Sequence, residues 1–232
     1  MEETTPASTT TPPSTPKNPR ENALQSKALA DAIASSERLI LSTLTSPDLL
    51  LALAPAGYNE IELNRGLTLF TTAQAKFNAR QEALGVETLA LKARNMARKL
   101  VKKEYRSYRT IVQVNYRKAD RSNLGASGRM PSDGDKLRTN ARSAYKSALN
   151  EPYLSVLTTF GFTKDRLTAD LVVLDKFASA ESAFENAESK AKSATKVRDV
   201  AADALKNWVM KLRTIAKDVL EDRPDLLSLM KD

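Results

Sequence analysis

The sequence predicts an all-α protein, an elongated antiparallel helical bundle or coiled coil built from two tandem copies of one unit: helix, short helix, Gly-aromatic turn, long helix. Three observations predict it. The 232 residues are 41% apolar but only 6% aromatic, with 7 glycines, and much of the apolar content is Ala and Leu, the composition of closely packed helices rather than of a sheet. Two runs of about 60 residues lack helix breakers: 59–118 has no proline, and 163–223 has neither proline nor glycine. Finally, displacing the chain by 104 residues aligns 46–116 with 150–220 without a gap, and 15 of the 71 pairs are identical, among them Leu53 with Leu157, Gly57 with Gly161, Leu63 with Leu167, Arg94 with Arg198 and Ile111 with Ile215.

Residues 1–20 hold 5 of the 10 prolines and little that packs, so they are expected to be a disordered Thr/Pro-rich tail. The first helical repeat is expected over 21–119. Leu24, Ala28, Ala32 or Ile33, Leu39, Ile40 and Leu44 keep helical spacing up to Ser46. Ser46 as N-cap and Pro47 at the first helical position open a short helix over 48–53, which Pro55 and Gly57 close. Gly57 and Gly161 supply left-handed turns, Tyr58 and Phe162 fold back onto the short helices, and Asn59 and Thr163 cap the long ones. An unbroken run of this length makes a helix of roughly 90 Å. A break at 83–87, beside Gly85, is the alternative.

Residues 120–134, with 3 of the 7 glycines, read as the linker loop and hinge, and 135–232 as the second repeat, the two packing as one elongated domain. A helix is expected over 135–149, and Pro224-Asp225-Leu226-Leu227 begins a last short one that packs back on the bundle. The alanines at the centres of the long runs are expected to line a waist, with larger side chains thickening each end. Trp208, Leu212, Ile215, Ala216, Val219 and Leu220 form one apolar face.

The chain contains no Cys and no His. That excludes Ser-His-Asp and Cys-His nucleophiles, zinc sites of the usual ligand types and disulfides. No catalytic residue, metal site or cofactor is therefore expected. Glu181, Glu185 and Glu188 share a helix face, but without His they read as a solvated acidic face rather than half a carboxylate metal site. Gly125-Ala126-Ser127-Gly128 lacks the Gly-Lys-Ser/Thr of a phosphate loop.

The net charge of +8 is concentrated: 94–118 holds nine basic residues and one acid, and the remainder sums to zero. Arg94, Arg98, Lys99, Lys102, Lys103, Arg106 and Arg109 form a candidate stripe for phosphates of nucleic acid or an anionic membrane surface, whereas Tyr105, Tyr108 and Tyr116 fall near core steps with Leu100, Val101 and Ile111 and are expected to pack. Most of this excess is missing 104 residues later, where Ala202, Asp203, Asn207 and Met210 stand, so a solvated face is the competing reading.

The order Gly161-Phe162-Thr163, Leu167, Arg198, Trp208, Arg213, Ile215-Ala216, Leu220-Glu221-Asp222, Pro224 and Leu226-Leu227 resembles a family of uncharacterised, internally duplicated all-helical bacterial proteins over roughly 46–230. The resemblance implies a fold and no activity. The functional expectation is a non-enzymatic helical scaffold or interaction protein whose partner is another protein or further copies of itself. The alternative is a binder of nucleic acid or anionic lipid through the stripe. No window is apolar enough to span a membrane, the start Met1-Glu2-Glu3 has neither the basic nor the apolar region of a signal peptide, and a cytoplasmic location is expected.

Overall fold

The computed structural model describes residues 19–230, with side chains from Ser26 onward. Every regular element among the described residues is a helix: α1 (Pro19–Thr45), α2 (Pro47–Leu53) followed by a 3-10 turn (Ala54–Ala56), α3 (Glu60–Asn115), α4 (Lys118–Asn123), α5 (Gly134–Ala148), α6 (Tyr153–Thr159), α7 (Lys164–Val219) and α8 (Pro224–Ser228). Pro19 and Arg20 belong to α1; the rest of the tail expected over 1–20 lies outside the described residues.

Local sequence sets the boundaries. The Ser46 hydroxyl accepts a hydrogen bond from the Leu49 amide at 3.4 Å, and Pro47 supplies the first turn with its fixed φ. Gly57 ends the following 3-10 turn at φ 91°, a left-handed conformation that costs glycine little. The Tyr58 amide then donates back to the Leu53 carbonyl at 3.1 Å, and Asn59 caps α3 by accepting from the Glu62 amide. The same construction recurs 104 residues on. Gly161 has φ 82°, the Phe162 amide donates to the Leu157 carbonyl at 3.1 Å, and Thr163 accepts from the Arg166 amide. Tyr58 and Phe162 are both buried.

α3 and α7 each run for 56 residues. α3 passes through Gly85 unbroken, so the break considered at 83–87 does not occur. A lone glycine costs a helix about 1 kcal/mol against alanine, whereas ending the helix there would strand several backbone donors and acceptors.

The contacts divide the chain into two compact units, and neither coincides with one expected repeat. The first takes the described residues up to Phe77 together with those from Arg198. Its core joins Ile33, Leu39 and Ile40 of α1, Leu49 and Leu53 of α2, Leu63, Phe70 and Ala73 of α3, and Leu205, Trp208, Leu212 and Ala216 of α7, closed by Leu226 of α8. Trp208 lies over Gly66 and edge-on to Tyr58, and its indole N–H donates to Glu62 at 2.8 Å. Of the apolar face expected around Trp208, Leu212, Ala216 and Leu220 are buried, Ile215 is half-buried and Val219 is exposed.

The second unit is 78–197. Val101, Tyr105, Tyr108 and Val112 of α3 pack with Leu137, Ala141 and Tyr145 of α5, Leu157 of α6, and Leu167, Leu174 and Phe177 of α7. Within this unit α3 and α7 run antiparallel, since Arg94 meets Phe184, Glu104 meets Arg166, and Tyr108 meets Phe162. The tyrosines do pack, and their hydroxyls are used: Tyr105 donates to the Gly125 carbonyl at 2.7 Å, Tyr108 to Ala144 at 3.3 Å and Tyr116 to Tyr153 at 3.1 Å.

Residues 120–134 are not a free hinge. α4 enters the stretch, Leu124 and Ala126 are fully buried, and the Tyr105, Arg109 and Gln113 side chains hold its carbonyls. Of the alanines expected to line a waist, Ala73, Ala187 and Ala191 are buried, while Ala75, Ala79, Ala93 and Ala183 are exposed.

Candidate interaction surface

The seven basic residues singled out from the sequence lie on α3 but do not act together. Arg109 is buried: its guanidinium donates to the carbonyls of Ala126, Ser127 and Gly128 at 3.2, 3.3 and 2.6 Å, so it clamps the loop after α4. Arg94 stacks on the Phe184 ring at 4.1 Å, and Arg98 donates to the Ser132 carbonyl. Both are half-buried, and the Nε of each is covered without a hydrogen-bond partner. Lys99, Lys103 and Arg106 are exposed and Lys102 is half-exposed. The stripe thus separates into three structural arginines and four cations open to solvent.

Of the three acidic residues noted on α7, two are engaged by other cations. Glu181 lies 3.5 Å from Arg138 of α5; burial pushes its carboxyl up and Arg138 pulls it partly back. Glu188 pairs with Lys192 one turn along α7 at 2.6 Å, and Glu185 is exposed.

A feature that sequence reasoning missed occupies the same stretch of α3. The face turned to the unit's interior carries Leu84, Glu87, Leu91, Arg94, Arg98, Val101, Tyr105 and Tyr108, alternating steps of three and four, all buried or half-buried. Two residues further on, about 200° around the helix, is a second row with the same steps: Val86, Leu89, Ala93, Met96 and Leu100. It is exposed, at 57, 67, 69 and 44% for Val86, Leu89, Met96 and Leu100. The outward face thus carries an apolar row in addition to its charges, whereas a helix normally keeps its apolar row turned inward. An open depression of about 1000 Å³ beside the row is bordered, among the described residues, by α3 alone, including Met96, Lys99, Leu100, Lys103 and Arg106.

No family model, curated protein or solved structure matches this chain.

α7 keeps part of the second row. Val197 and Val200, exposed at the positions 104 residues after Ala93 and Met96, are followed by exposed Ala204. The cations do not recur with it, for Asp203 and Asn207 stand where Lys99 and Lys103 would be repeated. No single helix among the described residues is long and apolar enough to cross a membrane. The bent pair Ser26–Thr45 and Pro47–Ala56 reaches that composition jointly, but Ile33, Leu39, Ile40, Leu49 and Leu53 spend its apolar surface in the first unit's core.

Proposed function

We propose that this chain is a non-enzymatic helical interaction protein, built from two tandem copies of one helical unit, that meets its partner along the outward face of α3. The observation that carries the reading is the row from Val86 to Leu100: four large apolar side chains around Ala93, held in heptad spacing on a continuous helix and pointing away from the core that uses the opposite face. Such a contiguous exposed row is unusual unless something covers it. The tandem-copy reading is supported by the equal lengths of α3 and α7, whose bounds are displaced by 104 residues, and by the repeated Gly-aromatic turn.

A photo-crosslinking residue placed at Met96, with Ser189 on α7 as the control position, tests the reading in the cells that make the protein. A discrete protein adduct at Met96 that disappears in Leu89→Glu is expected. No adduct above the Ser189 control would overturn it.

The second reading is a binder of nucleic acid or of an anionic membrane, and the exposed cations Lys99, Lys103 and Arg106 with half-exposed Lys102 favour it. Binding to duplex DNA, RNA and anionic vesicles is then expected to fall steeply with salt and to be lost when Lys102, Lys103 and Arg106 are changed to Glu. Unchanged binding in that variant removes these residues as the site.

A further inference from the structure

We propose that the outward row of α3 docks an amphipathic helix of another protein whose flanking positions are acidic. The proposal rests on the reading of α3 as an interaction face and specifies the chemistry it meets. With Val86, Ala93 and Leu100 at heptad positions a, and Leu89 and Met96 at d, the g positions are Lys92, Lys99 and Arg106, all exposed. The e positions, Ala90, Ala97 and Glu104, are half-buried; Ala97 packs on the second unit's core, and Glu104 faces Arg166 at 3.6 Å. An incoming helix therefore finds one flank open, and that flank is wholly cationic. From 88 to 103 the helix carries no acid at all.

Shape and charge select the partner. The row is one residue wide, has alanine at its centre and carries no aromatic side chain. A helix lying in a lipid interface needs a broad apolar face anchored by Trp, Phe or Leu, whereas a narrow a/d row suits the interlocking side chains of a second helix. Nucleic acid would reward the cations but not the apolar side chains of Val86, Leu89 and Met96 that make up the row. A second copy is opposed by charge. Antiparallel pairing of two such rows brings Lys92 against Lys99 of the other copy twice along one flank, and parallel pairing turns the cationic flank toward the partner's e positions, which its own bundle already occupies. Acidic residues on the incoming helix answer the open flank directly, and charge of this kind sets partner choice in paired helices.

The test uses the full chain and two labelled synthetic helical peptides with the same Leu/Val seam, one carrying Glu and the other Lys at every e and g position. Anionic phosphatidylglycerol vesicles and duplex DNA are run in parallel. The Glu peptide is expected to bind at least tenfold more tightly than the Lys peptide. Joint replacement Lys92→Glu, Lys99→Glu and Arg106→Glu is expected to reverse that order, and Leu89→Lys with Met96→Lys to abolish binding, with unchanged helical circular dichroism in every variant. Equal binding of both peptides, abolished by the Leu89 and Met96 changes, overturns the acidic partner while leaving α3 as an interaction face. Binding of vesicles or DNA with neither peptide bound overturns the proposal in favour of an anionic surface. Failure of the Met96 crosslink is a separate result and overturns the parent reading.

Discussion

Asp170 on α7 is buried, its Oδ2 is covered without a hydrogen-bond partner, and its carboxyl is pushed up to about 6, first by burial and then by the neighbouring Glu104, with Arg166 opposing. Tyr145 of α5 faces it as well, and its phenol is likewise pushed up, chiefly by burial. The direction of the pH effect follows. An unfolded Asp titrates near 3.8, so between about pH 4 and 6 the folded chain holds the extra proton, and stability falls as pH rises through that window. Above it the folded state carries a buried, poorly compensated charge. Asp170→Asn removes that cost and is expected to stabilise the protein at pH 7 by at most about 3 kcal/mol, since each tenfold change in proton affinity on folding is worth about 1.4 kcal/mol. The gain should fade below pH 4. Thermal melts at pH 4 and pH 7 check it, and an Asn variant that gains no more at pH 7 than at pH 4 refutes the account.

Within the long helices, the two glycines of α3 make a matched pair at the level of the element. Both are helical, and each lowers intrinsic helix stability by about 1 kcal/mol relative to alanine. A Cβ at Gly85 would meet nothing within 4 Å, so Gly85→Ala is expected to stabilise the protein by about 0.5–1 kcal/mol. At Gly66 the added carbon would lie 2.3 Å from the Trp208 ring, which the bond to Glu62 holds in place, so Gly66→Ala is expected to destabilise by about 1–3 kcal/mol despite its better helix propensity. Denaturant titrations give both values, and the single Trp, at the affected contact, reports the second by its fluorescence. Gly66 and Gly85 look alike in sequence, because only the tertiary partner distinguishes them. The outward row of α3 was hidden for a related reason. Leu89, Met96 and Leu100 keep the same three-and-four spacing as core residues, and only the burial of Leu91, Arg94 and Arg98 shows which phase faces inward. The turns were legible, since Ser46, Gly57, Asn59, Gly161 and Thr163 act through local backbone geometry that needs no distant contact. The basic stripe was legible as charge but not as geometry, because burial of Arg109 depends on loop carbonyls 17 to 19 residues later.

For the molecule as a whole, the division into units carries a consequence that the order of residues does not suggest. The aligned halves lead to an expectation of two repeats packed through their paired long helices, and each hydrophobic core draws on both of those helices. The second unit is nevertheless one uninterrupted segment, 78–197, and every residue of its core from Val101 to Phe177 lies inside it. The first unit is discontinuous, because Leu63 and Phe70 need Leu205, Trp208 and Leu212, which follow only after the second unit is complete in sequence. A chain of about 120 residues with its own core is long enough to fold alone. The excised segment 78–197 is therefore expected to be helical by circular dichroism and to melt cooperatively, with Phe177→Ala lowering its stability by about 3–5 kcal/mol. A chain ending at 197 keeps that core but strips Ile33, Leu49 and Leu63 of their α7 partners, so its N-terminal part should exchange its amide hydrogens rapidly while 98–177 stays protected. A non-cooperative melt of 78–197 would mean that the second core depends on the first. In that case the shared helices, rather than the separate cores, would be the unit of stability.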